Sequence, residues 1–283
     1  MTGGLGRDHR GEGGPAAERW RAALEAWALP AAVLAQAPED PWRLPVEPFL
    51  AVAGAPLSVS HRRALEALPP GGRVLDVGAG GGAMSRPLAA AGAHVVAVDT
   101  AEEMLAASGA ATTVLGRWPE VAPVAGTADV VVCGHVLYNC PDLAAFARAL
   151  GAAAERRVVV EITDLHPRVT AEDQALWRHF WQLERPEGPG WEDAVAVLRE
   201  VGVEPAVERW ERRRAFHFHT RDDLVAGFRR RLCLPAERDR EILELLGPWL
   251  LHEDGRWLVG GRPRGLVTLW WDTGSQEEDA RGV

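Results

Sequence analysis

Residues 74–82 read Val-Leu-Asp-Val-Gly-Ala-Gly-Gly-Gly, a short apolar run that ends in glycines. A run of this length reads as a buried strand. Glycines after it permit positive φ and let backbone N–H groups come close to a ligand. A helix over 83–91 would then present its positive N-terminus at the same place, which suits a carboxylate or phosphate. Further apolar runs at 94–98, 113–115, 128–133 (ADVVVC) and 157–162 (RVVVEI) alternate with helical stretches at 101–107 and 143–154. Strands and helices in this alternation predict a doubly wound, mostly parallel α/β sheet covered on both faces. Its ligand crevice lies outside the carboxyl ends of the strands, where strand order reverses.

The flanks extend this domain. Trp20, Leu24 and Trp27 share a helix face over 16–34, prolines break the chain after it, and 58–68 reads as a short helix. Past Thr163 come a helix carrying Trp177 and Trp181, a helix over 191–201, a strand over 203–210 and a last strand over 266–271. That makes seven strands. Between the last two, Thr220 is a good N-cap, Leu224, Phe228 and Leu232 form an apolar stripe, Pro235 opens a second helix and Gly247-Pro248 ends it. The expected organisation is a disordered tail (1–14), an N-terminal helical cap (15–70), the sheet domain (71–273) with helical additions at 165–190 and 211–264, and a second disordered tail (274–283).

Composition removes several function classes. The 283 residues carry a net charge of −9, which disfavours long nucleic acid as partner. No lysine occurs, so all 31 basic residues are arginine, and Schiff-base or P-loop lysine chemistry is excluded. Cys133, Cys140 and Cys233 have no zinc spacing, so no metal is expected, and so sparse a set suits a reducing cytoplasm. The first 15 residues lack the apolar core of a signal peptide, and no run of 18 apolar residues could span a membrane.

Two cofactors compete for the glycine loop. Residues 78–83 satisfy the dinucleotide pattern GxGxx(G/A), and Asp99 stands where a ribose-binding acid belongs in either case. Asp76 discriminates. The dinucleotide fold normally has an apolar residue there, whereas a carboxylate suits a ligand that brings an ammonium, since an unpaired buried carboxylate is costly. Asp76-Val-Gly78-Ala79-Gly80-Gly-Gly82 resembles motif I of the class I S-adenosylmethionine-dependent methyltransferases, and the resemblance spans roughly 70–165 plus the closing strands. It implies S-adenosyl-L-methionine as cofactor, Asp99 at the ribose hydroxyls, Met104 packed on adenine, and Thr100 and Gly134 also binding the cofactor. Arg117-Trp118 stand where that family has an acid near the adenine amino group; Trp118 could stack on the ring or simply pack in the core.

The sulfonium methyl of such a cofactor is already activated, so the protein must hold a nucleophile in line, exclude water and, where needed, remove a proton. His135 follows the fourth strand and is the candidate base, or a positioner; Tyr138 could orient a substrate. After the fifth strand, Asp164 and His166 could line the pocket mouth, and Glu161 could support the sheet or contact the cofactor. No Asn/Asp-Pro-Pro-Tyr/Phe, Pro-Cys or carboxylate cluster points to amide, cytosine-carbon or magnesium-assisted methylation. The resemblance thus implies methyl transfer to a small molecule. A nicotinamide-dependent oxidoreductase, a non-catalytic cofactor-binding protein, and an RNA or protein methyltransferase are the alternatives. Trp20, Trp27, Trp42, Trp177, Trp181, Trp249 and Trp257 could form an aromatic lid or merely the core of added helices. The basic runs 212–214 and 229–231, with His217 and His219, could be solvated faces or a clamp for an acidic substrate group.

Overall fold

The computed structural model describes residues 13–42, 56–166, 170–212, 217–260 and 263–274. Most of both expected disordered tails, and Arg213 and Arg214 of the first basic run, lie outside the described residues.

The chain runs α1 (Pro15–Trp27), α2 (Ala31–Leu34), α3 (Val59–Ala67), β1 (Arg73–Val77), α4 (Arg86–Ala90), β2 (His94–Asp99), α5 (Glu102–Ser108), β3 (Thr112–Leu115), α6 (Ala122–Ala125), β4 (Ala128–Gly134), α7 (Leu143–Ala153) and β5 (Ala154–Thr163). It continues through α8 (Ala171–Trp181), α9 (Trp191–Glu200), β6 (Ala206–Arg212), α10 (Arg221–Arg231), α11 (Asp239–Leu246), β7 (Leu250–Glu253), β8 (Arg256–Val259) and β9 (Arg264–Asp272). Seven strands form one sheet in the order β3-β2-β1-β4-β5-β9-β6. The first five are parallel; β9 runs antiparallel between β5 and β6. The doubly wound seven-stranded sheet is therefore present, with its order reversing between β1 and β4, where the crevice belongs.

Alternation of β-branched side chains covers both faces. Leu75, Val77, Val131, Cys133, Val158 and Val160 pack under α1, α7 and α9. Val74, Val130, Val132 and Val159 pack under α3 and α4. Glu200 accepts the N–H groups of Ala16 (3.0 Å) and Ala17 (2.9 Å), which satisfies two orphan donors at the start of α1. A second core joins α2, α8, α10 and α11 through Leu176, Trp177, Leu224, Phe228, Ile242 and Leu246, away from the sheet.

Three departures from the sequence reading have simple causes. The 16–34 helix splits at Leu29-Pro30, because the residue before a proline avoids the α region. The 83–91 helix shortens to α4, since Pro87 is tolerated only in a first turn. The 211–264 segment is not purely helical: β7 and β8 form an antiparallel hairpin closed by Asp254-Gly255, both at positive φ (49° and 73°). Such a pair is the signature of a tight hairpin turn.

Candidate active site

A single cavity of about 2980 Å³ runs along the carboxyl ends of the strands, from the glycine loop to the segment between β6 and β9. Ligand pockets usually hold 300–1,000 Å³, so there is room for a cofactor and a second molecule.

The glycine-loop half is made largely of backbone. Gly78 (φ 72°) donates its N–H to Val98 O at 2.8 Å, and a Cβ here would stand 2.2 Å from Val136 Cγ2. Gly80 (φ 50°) has no atom within 4 Å of where a Cβ would be. Its N–H donates to Asp99 Oδ2 at 2.8 Å, while Ala101 N–H donates to Oδ1 at 2.9 Å. The carboxylate at the tip of β2 thus ties the glycine loop to its own strand end and keeps a lone pair free on each oxygen. Gly78, Ala79, Gly80, Asp99, Thr100, Met104, Arg117, Trp118 and Gly134 all line the cavity.

Two of the predicted cofactor residues stand back from that wall. Gly82 (φ 82°) is buried, and a Cβ there would meet Ser108 O at 2.5 Å, so it serves the close approach of the end of α5. Asp76 is fully buried next to Val77, which lines the cavity. Neither of its oxygens has a hydrogen-bond partner. Burial pushes its carboxyl up to about 7 even though the donors of nearby Ser85 draw it down, and Asp99 adds repulsion. Trp118 is buried in the sheet core with an unpartnered indole N–H.

In the other half, side chains make the site. His135 follows β4 in the left-handed region (φ 61°), a conformation that costs a non-glycine residue about 1–2 kcal/mol. Its N–H bonds Glu161 O (2.8 Å), and its Nε2 lies 3.1 Å from Glu161 Oε1. Glu161 is buried on β5, where Ser60 Oγ donates to Oε2 at 2.7 Å and Arg212 lies 3.7 Å from Oε1. Burial alone would raise its carboxyl; the His135 hydrogen bond and charge, then Arg212 and Ser60, bring it down to about 2. An ionised carboxylate only accepts, so Nε2 must carry a proton toward Glu161, and in the neutral imidazole Nδ1 is then the accepting nitrogen. Ser60 and Trp210 also hydrogen-bond Thr268 Oγ1 (2.8 and 3.0 Å), tying α3, β5, β9 and β6 together beneath the histidine.

Tyr138 lines the cavity, but its hydroxyl bonds Thr163 Oγ1 and accepts Thr163 N–H at 2.8 Å. Burial, opposed by those bonds, pushes that phenol up to about 12. His166 is buried between Trp27 (ring centroids 3.9 Å apart) and Tyr138 (4.9 Å). Trp27, Trp42 and Trp249 reach the cavity, whereas Trp20 and Trp177 are core. Among the described residues no group of three or more His, Cys, Asp or Glu could hold a metal, and no helix is long and apolar enough to cross a membrane.

Sequence reasoning left Glu161 open and missed Ser60, Thr268 and Trp210. Glu161 carried a usable signal, a lone charge inside the apolar run RVVVEIT. The others carried none, because only the pairing of β5, β9 and β6 brings them together.

Residues 55–195 match the family model described as a methyltransferase domain. The ubiquinone biosynthesis O-methyltransferase of Xanthomonas axonopodis pv. citri is 37% identical over 90 residues, 29% of this chain and 38% of that protein. The one of Bordetella parapertussis is 39% identical over 94 residues, 30% of this chain and 39% of that protein. The matched stretches span about two fifths of the length of these curated relatives. A cyclopropane-fatty-acyl-phospholipid synthase-like protein from Lactobacillus casei superposes with a TM-score of 0.48 at 16% identity, covering 89% of this chain and 98% of that one. With motif I at 76–82 and the strand order β3-β2-β1-β4-β5-β9-β6, this chain belongs to the class I S-adenosylmethionine-dependent methyltransferases.

Proposed function

We propose that the chain binds S-adenosyl-L-methionine in the glycine-loop half of the cavity and methylates a hydroxyl of a small organic molecule in the other. The observation that carries this reading is the pairing, in one cavity, of an acid-anchored glycine loop with a histidine whose partner is a buried, ionised glutamate.

The residues present fit the cofactor. Open space at Gly80 leaves its backbone approachable, Asp99 keeps acceptors for a sugar diol, and Met104 with Trp118 line the adenine side. The carboxylate of Asp76 lies behind the cavity wall, next to Val77, without a hydrogen-bond partner, so an amino-acid ammonium at the wall would act on it through its charge. When bound, the cofactor supplies an electrophilic methyl group. The chain does the rest. His135 Nδ1 takes the hydroxyl proton, and Glu161 fixes the ring and stabilises the imidazolium. Tyr138, with its hydroxyl tied to Thr163, shapes the wall and takes no proton.

Names of the matched relatives specify O-methylation for those proteins, which accords with a base at this position. The acidic balance accords with a small molecule over nucleic acid, and three free cysteines accord with the cytoplasm. We read 71–273 as the catalytic domain, with 15–70 a helical cap and 165–190 and 211–264 substrate-side additions. His135→Ala should lower kcat by about 10²–10³-fold while S-adenosylhomocysteine affinity stays unchanged. An unchanged kcat would mean that the proton leaves by another route.

A further inference from the structure

From residue 210 to 265 the cavity wall carries Arg212, Arg230, Arg231, Arg256 and Arg264 with His217, against one acid, Glu211, among the described residues. This is the reverse of the chain as a whole, whose net charge is −9. Several of these cations serve other acids: Arg230 pairs with Glu39 (3.2 Å), Arg231 with Asp173 (3.8 Å) and Arg212 with Glu161 (3.7 Å).

Arg256 differs. Among the described residues its guanidinium lies within ion-pair distance of no carboxylate, and its hydrogen-bond partner is His217 Nε2. A guanidinium is donor-only and always charged, so the imidazole must be the acceptor in that contact. The other N–H groups of Arg256 keep the fork geometry that takes a carboxylate with two parallel bonds. The position is built. Phe218, next to His217, bonds Trp257, next to Arg256, through both backbone groups (2.9 and 2.8 Å), which locks the two elements in register. Phe218 and Phe228 add an apolar surface to the same wall.

We propose that the methyl acceptor is an aromatic organic acid, its carboxylate seated on Arg256 beside His217 and its ring against Phe218 and Phe228, with the accepting hydroxyl toward His135. This rests on the methyltransferase reading above and names its substrate class. Benzoate and benzamide share a shape and differ in charge, so each is titrated into protein saturated with S-adenosylhomocysteine. Benzoate should bind at least about tenfold more tightly, which is about 1.4 kcal/mol. Arg256→Gln should abolish that preference, and His217→Ala should reduce it, with melting temperature and S-adenosylhomocysteine affinity unchanged in both. Equal binding of the two probes, binding of neither, or a preference that survives Arg256→Gln overturns the proposal. A failure of S-adenosylhomocysteine itself to bind counts against the methyltransferase reading instead; the two probes then report on the Arg256 seat alone.

Discussion

The two halves of the cavity are built by different means. On the glycine-loop side, two glycines at positive φ, Gly78 and Gly80, with one aspartate and two backbone N–H groups make the surface, all within residues 78–101. On the acceptor side, Ser60, His135, Glu161, Trp210, Arg212 and Thr268 meet from five separate elements and work through side chains. A site made of backbone must be marked by glycine, because only glycine combines left-handed conformations with such close approach. A site made of side chains needs only the right neighbours, which the topology supplies. The halves also handle buried charge in opposite ways: Glu161 is surrounded by donors and held ionised, while Asp76 has only Ser85 beside it and no hydrogen bond to either oxygen.

That opposition gives the largest expected effects. Asp76 has its carboxyl raised from 3.8 to about 7, so its contribution to stability is greatest at low pH and is lost as pH rises across that window, about 4 kcal/mol in all. Asp76→Asn should therefore melt well above wild type at pH 8 and close to it at pH 4. Glu161 has the reverse sign: lowered from 4.5 to about 2, its contribution is present above 4.5 and lost as pH falls through that window, about 3 kcal/mol. Thermal melts across pH 2–8 check both, and identical profiles for wild type and Asp76→Asn would break the contrast.

Asp99→Ala removes the acceptor of two backbone N–H groups and of the proposed diol. Charge-assisted bonds contribute about 1.5–3 kcal/mol each, so S-adenosylhomocysteine affinity should fall about 100-fold by calorimetry. The glycines separate binding from folding on a smaller scale. Gly82→Ala should cost about 2 kcal/mol or more in stability, because its Cβ would press on Ser108 O. Gly80→Ala meets open space and should cost only about 1 kcal/mol, yet it should weaken the cofactor more than Gly82→Ala does. Equal losses of affinity in the two would show that the loop does not face the ligand at Gly80.

This division explains what could be read from the sequence. Strand periodicity, the glycine loop and Asp99 are local signals, and they located the sheet, its switch point and the glycine-loop half of the cavity. His135 was legible as a polar residue at a strand tip, but its Glu161 partner is 26 positions away and depends on the β4–β5 register. The Asp254-Gly255 hairpin was locally visible but was hidden by reading its surroundings as helix. Asp76 shows the converse: its motif position was legible, while its complete burial, beside Ser85 at the start of α4, is set by tertiary packing that no spacing reveals.

The Asp99-anchored loop, with the buried Asp76 carboxylate behind it, suits a cationic amino acid joined to a nucleoside. Titrating S-adenosylmethionine into the wild-type protein at pH 7, in buffers of different ionisation enthalpy, tests it most directly. One molecule should bind per chain with release of a fraction of a proton, as the incoming ammonium ionises Asp76, and Asp76→Asn should release none. Absence of binding, or binding of NADH in its place, would contradict it.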